Sequence, residues 1–222
     1  LARAAWWEQE LRRELTMGLK QVLLLGAGLE SLPCRQTAEM ERMSFYEVDT
    51  PAVLAEKEKR LREVGITTPR NVYRVGVDLA EDWEKTLLEM TPFATEQRTL
   101  TALLGVVYYL PRAAMEALLK RLAAITSQGS SLLFDCPMRD FGTGEDAAGQ
   151  QRALAKSAGE TMEQGYTLPK LALMLERHGF LIYEDMGPRE ITERFYAGYN
   201  EGHPESPVLP LPGTALVLAA RH

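Results

Sequence analysis

The chain has 222 residues, 45% of them apolar and 25% charged, with a formal net charge of −6. That composition suits a globular chain large enough for a sizeable core, and the acidity disfavours nucleic acid as the main partner, because phosphate binding needs a basic surface. The two cysteines, Cys34 and Cys136, give neither a disulfide framework nor zinc spacing, the apolar runs are too short to span a membrane and no signal peptide is visible, so the expectation is a reducing cytoplasm and no membrane partner. The chain begins at Leu1 rather than Met, which leaves upstream residues open.

In chain order, residues 4–17 (AAWWEQELRRELTM) form a helix pattern closed by Gly18. On it, Trp6 and Trp7 are packing residues, or a contact for a second copy of the chain. Residues 21–25 (QVLLL) are a strand without polar alternation, as expected where both faces are buried. They run into Gly26-Ala27-Gly28 and a turn that opens a helix. A strand at 45–48 is followed by a helix at 51–64. That helix starts on Pro51 and carries Val53, Leu54, Lys57, Leu61 and Val64 along one face. A third strand (72–77), a short helix (80–90), a fourth strand (99–107), a helix (112–126) and a fifth strand (131–135) follow. A helix at 168–178, with Leu168, Leu171, Ala172 and Leu175 in register, precedes two last strands at 180–185 and 214–220.

This alternation predicts an α/β fold in one domain over 1–222: a doubly wound, mostly parallel, seven-stranded sheet with helices on both faces. Ligands then sit beyond the carboxyl ends of the strands, near the first. Residues 136–167 and 187–213 are long for simple connections, which makes them candidate lid or substrate segments.

Gly26 and Gly28 let the backbone approach a ligand closely, but Ser31 stands where a dinucleotide fingerprint has a third glycine or alanine. Asp49 lies 21 residues after Gly28, at the tip of the second strand, where an acid accepts hydrogen bonds from ribose hydroxyls. The pair points to an adenosine-type ligand without saying which. An unliganded strand-to-helix turn is the bland alternative.

Taken in order, LLGAGLES, FYEVDTPAVLAEK, VDLAEDW and YYLPRAAMEALL resemble the leucine carboxyl methyltransferase family. The resemblance runs from about Arg3 to the last strand. It implies a Rossmann-like class I methyltransferase that uses S-adenosyl-L-methionine, releases S-adenosyl-L-homocysteine and needs no metal. By resemblance, Gly26, Ala27 and Gly28 pass under the methionine part of the cofactor, Asp49 matches the ribose ligand, Asp78 and Leu79 match the pair beside the adenine, and Arg3 stands where an arginine pairs with the cofactor carboxylate. A solvated chain-end arginine and a helix-capping Asp78 are the plainer readings. In ALLGVVYYL, Leu104 takes the place of a family acid that contacts the cofactor region. The family also carries extra helices before the position of Leu1.

A methyl sulfonium is already electrophilic, so the protein must align a nucleophile and exclude water. A carboxylate acceptor is ionised at neutral pH, whereas a hydroxyl needs a general base. Candidate bases are Tyr109, at the end of the fourth strand, and His203, in the second long segment. Tyr108, Arg139 and Tyr199 are candidate acceptor contacts. Adjacent Tyr108 and Tyr109 should point oppositely, one into the core. The expected activity is O-methylation of a small metabolite on a carboxylate or hydroxyl, of the kind that tailors polyketides in secondary metabolism. A protein C-terminal carboxylate and a catalytically silent cofactor-binding module, the latter motivated by Leu104, are alternatives. A nicotinamide oxidoreductase is opposed by Ser31 and the missing Tyr-x-x-x-Lys or Cys/His set. The partner is a small acceptor, and a homo-oligomer is open.

Overall fold

A computed structural model of the protein describes residues 1–139 and 165–222. Its sheet has seven strands in the order β3-β2-β1-β4-β5-β7-β6. They are β1 (Gln21–Leu25), β2 (Ser44–Asp49), β3 (Val72–Gly76), β4 (Thr99–Leu103), β5 (Ser131–Pro137), β6 (Phe180–Met186) and β7 (Thr214–Arg221). Strands β1 to β5 pair in parallel, and β7 enters antiparallel to both β5 and β6. The expected α/β architecture is therefore present.

Side chains alternate across the sheet, so β1 feeds two cores. Val22 and Leu24 pack with Trp6, Trp7 and Leu11 of α1 (Ala2–Thr16), and with Phe45, Leu100 and Leu133. Leu23 and Leu25 face the other side, with Trp83 of α3 (Trp83–Met90), Met115 and Leu119 of α4 (Arg112–Ile125) and Leu171 of α5 (Leu168–Arg177). Trp6 and Trp7 are fully buried, so they are core. Helix α2 (Pro51–Glu63) starts as its sequence dictates: Pro51 opens it and the Thr50 hydroxyl accepts from the Val53 N–H. Its Lys57 is buried against Glu47 of β2 at 2.6 Å. No helix among the described residues is long and apolar enough to cross a membrane.

The local structure departs from expectation in four places. No α-helix follows Gly28. A short 3₁₀ turn, Leu32–Cys34, takes its place. A helix begun at Gly28 would put Pro33 in its interior, where proline lacks the N–H and clashes with the preceding turn. Strand β4 stops at Leu103 because Gly105 takes a left-handed φ of 75°, and Val107–Tyr109 form a 3₁₀ turn. Tyr108 and Tyr109 thus diverge from a turn and not from a strand. Helix α3 starts at Trp83 and not at 80, since the Asp78 carboxylate accepts the Ala80 N–H at 2.9 Å and folds the preceding residues into a turn. Finally, residues 187–213 are not a plain loop. They contain α6 (Pro188–Ile191), a π-helical turn (Thr192–Tyr196) and α7 (Ala197–Gly202). This segment docks on α1: the Ala2 N–H donates to the Tyr196 hydroxyl, and Arg194 bridges Glu184 and Gln9. Most of the other candidate lid, 136–167, lies outside the described residues.

Candidate cofactor site

The chain turns back between β1 and β4. Strands are added outward from β1 to β2 and β3, then on the other side from β4, so a crevice opens beyond the carboxyl ends of β1 and β4. Gly26 and Gly28 sit at its floor with φ of 68° and 49°. The N–H groups of Gly26 and Ala27 both donate to the Val48 carbonyl, at 2.9 and 3.2 Å. A Cβ on Gly26 would collide with the Val106 side chain. The turn therefore requires glycine for both conformation and space.

Asp49 ends β2 beside this turn, and both of its oxygens are engaged. Oδ2 accepts the Gly28 N–H at 2.8 Å and Oδ1 accepts the Thr50 N–H at 2.7 Å. The acid fixes the glycine turn while keeping further lone pairs for a ligand. Asp78 and Leu79 lie one strand further out. The Val77 N–H donates to the Asp49 carbonyl, which places them beside the tip of β2. Asp78 is exposed, and Leu79 packs against the core.

A cleft of about 440 Å³ occupies the crevice, with Arg3, Gly26, Gly28, Glu30, Arg35 and Leu104 in its wall. Arg3 reaches it from the first turn of α1. Its Nη1 bonds Asp135 Oδ2 at 2.8 Å, and Asp135 Oδ1 accepts the Gly105 N–H at 2.6 Å. Burial works against the Arg3 cation, but the Asp135 carboxylate outweighs it, with smaller help that includes Glu30, and the guanidinium pKa lies above its ordinary value. Glu30 Oε1 accepts the Leu32 N–H at 2.7 Å.

Sequence reasoning passed over Asp135 and Glu30. The signal for Asp135 was an acid in the otherwise apolar run SLLFDCP, since a charge is almost never fully buried without a partner. Arg3 and Asp135 are 132 residues apart, so no local pattern could pair them.

The acceptor candidates do not converge on this cleft. Tyr108 is buried and its hydroxyl donates to Thr214 Oγ1 at 3.2 Å. Burial, then Asp135, pushes its phenol pKa well up. Tyr109 is 45% exposed. His203 and Tyr199 stack on each other, with ring centroids 4.1 Å apart, and His203 Nδ1 lies 2.9 Å from the Tyr199 carbonyl. Arg139 is exposed and its N–H donates to the Tyr166 carbonyl at 2.7 Å. Among the described residues no group of three or more His, Cys, Asp or Glu suits a metal ion.

A family model described as leucine carboxyl methyltransferase matches residues 1–123. The chain belongs to the leucine carboxyl methyltransferase family. Among its relatives is YktD of Bacillus subtilis (strain 168), whose name carries a provisional S-adenosyl-L-methionine-dependent methyltransferase assignment. It is 32% identical over 201 residues, which cover 89% of this chain and 66% of YktD. A protein of Mycolicibacterium paratuberculosis with the same provisional assignment is 32% identical over 150 residues, 68% of this chain and 47% of its own. This leucine carboxyl methyltransferase family member thus spans less than two thirds of the relatives it matches. Solved structures share the fold. The mitomycin 7-O-methyltransferase MmcR superposes with a TM-score of 0.60 at 14% identity, over 92% of this chain and 50% of its own. The O-methyltransferase NcsB1 from neocarzinostatin biosynthesis, solved with S-adenosylmethionine and 2-hydroxy-5-methyl naphthoic acid, gives 0.56 at 15% identity, over 92% and 49%.

Proposed function

We propose that this chain is the cofactor-binding and catalytic part of an S-adenosylmethionine-dependent O-methyltransferase that acts on a small metabolite. The observation that carries the reading is the Gly26–Gly28 turn clamped by Asp49, opening into a cleft that holds a guanidinium and a carboxylate together. Such a wall is complementary to a zwitterionic amino acid. Arg3 meets the carboxylate through parallel N–H donors, and Glu30 meets the ammonium. Asp49 meets the ribose, with Asp78 and Leu79 beside the adenine. The residues present therefore fit the cofactor. When bound, it supplies an electrophilic methyl group on sulfur.

The acceptor is a carboxylate. Neither candidate base stands in the cleft wall: Tyr109 is 45% exposed on the turn after β4, and the His203 ring is stacked on Tyr199 with Nδ1 2.9 Å from its carbonyl. A carboxylate needs only alignment and exclusion of water. The 187–213 segment, docked on α1, supplies cover. Calorimetry with S-adenosylmethionine, its demethylated product and NAD tests the cofactor, and binding of NAD alone defeats the reading. Methyl-labelled cofactor with candidate metabolite acids, followed by mild alkali, tests the acceptor. An ester releases volatile methanol, and label that stays on a phenol or alcohol oxygen defeats the carboxylate assignment. Leu104 in the cleft wall favours a second reading, a cofactor-binding module without turnover, which would bind the cofactor and label no acceptor.

A further inference from the structure

Asp135 is a nearly fully buried carboxylate in β5, and its two oxygens hold Arg3 in the cleft wall and the backbone of Gly105, next to the wall residue Leu104. Oδ2 holds Arg3 Nη1 at 2.8 Å and Oδ1 holds the Gly105 N–H at 2.6 Å. Arg3 belongs to the first turn of α1. Gly105 belongs to the turn that ends β4 and carries Leu104 and Val106, and the Val106 side chain blocks any Cβ on Gly26. A buried charge is tolerated only when paired and hydrogen-bonded. Asp135 meets that condition at two points, one on Arg3 of the cleft wall and one on the turn beside Leu104. The side chain of Arg3 is 48% exposed, so without Asp135 a long arginine at this place would sample many rotamers. Hydrogen bonding through one terminal nitrogen leaves the other guanidinium N–H groups of this cleft-wall residue available to a ligand. The ion pair does more than neutralise charge: it fixes the direction in which the guanidinium fork points.

We propose that Asp135 is a positioning residue that aims the Arg3 guanidinium at the carboxylate of the bound cofactor. This rests on the reading of the cleft as an S-adenosylmethionine site. It makes a demand that a merely structural Asp135 would not: loss of Asp135 weakens ligands that carry the carboxylate and spares those that lack it. An asparagine can keep the Gly105 N–H bond through its oxygen while removing the charge that orients Arg3.

The test compares S-adenosylmethionine with its decarboxylated form, which keeps the sulfonium, the adenosine and the ammonium. Both are titrated by calorimetry into the wild-type chain, D135N, R3Q and the double variant, with circular dichroism confirming the fold. Wild type should prefer S-adenosylmethionine. D135N and R3Q should each weaken it by roughly tenfold or more, the range of a hydrogen bond to a charged group, and should change the decarboxylated ligand less than about threefold. The double variant should be no weaker than R3Q alone, since both changes disable one device. If D135N does not fold, R3Q, altered at a half-exposed side chain, still reports whether the guanidinium reads the carboxylate. Equal losses for both ligands, or additive losses in the double variant, overturn the positioning role and leave the cofactor reading intact. A wild type that does not distinguish the ligands overturns it too. A wild type that binds neither refutes the cofactor reading, and this proposal with it.

Discussion

Replacing Asp49 with asparagine is a one-atom change with a large expected effect. The wild-type carboxylate accepts two backbone N–H groups, Gly28 at 2.8 Å and Thr50 at 2.7 Å. Asparagine has one acceptor oxygen and one NH₂ group. Whichever way the amide turns, it bonds one of these N–H groups and points a donor at the other. One charge-assisted bond is lost and the other becomes neutral. For a partly buried site this costs about 1–3 kcal/mol. In a domain of this size that lowers the melting temperature by roughly 3–10 °C. Ligand affinity should fall as well, because Gly28 loses its anchor and, under the proposed assignment of Asp49, the ribose loses an acceptor; one charged hydrogen bond is worth roughly ten- to a hundredfold. D49A should be similar or milder, since it leaves both N–H groups to water and opposes them with no donor. The assay is thermal denaturation with and without S-adenosylmethionine, paired with calorimetry. A D49N protein that melts within about 1 °C of wild type and binds within about twofold refutes the clamp.

Gly26→Ala should be worse for the cleft than for the rest of the fold. A left-handed φ and a Cβ driven into Val106 together cost about 2–4 kcal/mol, and cofactor affinity should drop at least tenfold by calorimetry; normal affinity would mean that the turn is not the ligand floor. Leu104→Glu places an acid in the cleft wall that also holds Arg3 and Glu30. It should tighten S-adenosylmethionine roughly three- to tenfold, with some loss of melting temperature from the partly buried charge, and an unchanged affinity would remove Leu104 from the cofactor contacts.

The sheet was legible because each strand is a short apolar run bounded by its own turn chemistry, and a mostly buried parallel sheet leaves few other ways to arrange them. Pro51 marks the start of α2 and Gly18 the end of α1 for reasons that act within a few residues. Misreadings occurred where two local signals competed. Apolar residues continue past Leu103, but the left-handed Gly105 ends β4 first. The glycine turn invites a helix after Gly28, but Pro33 allows only a 3₁₀ turn. In 187–213 the Pro, Gly and aromatic content reads as loop. The segment is ordered by tertiary contacts, Tyr196 to Ala2 and Arg194 to Glu184, that no window of sequence contains.

The same distinction separates the two halves of the proposed site. The cofactor half is assembled from strand ends, and strand ends are where topology places residues reliably: Gly26 after β1, Asp49 closing β2, Asp78 after β3 and Leu104 after β4. Parallel pairing brings those positions to one edge, so four short motifs suffice to find it. The acceptor half has no such frame. Its candidates come from a turn (Tyr108, Tyr109), the end of a short helix (Tyr199, His203) and the start of a long connection (Arg139). Arg3 belongs to neither group. It comes from α1, outside the sheet, and it reaches the cleft through a buried acid at the far side of β4. The Arg3–Asp135 pair thus ties the first turn of α1 to β5 beside the cleft. Helix α1 is at once the lid of one core, through Trp6 and Trp7, and the carrier of the guanidinium. Changes that loosen α1 should therefore appear first as lost affinity for carboxylate-bearing ligands, before the sheet itself gives way.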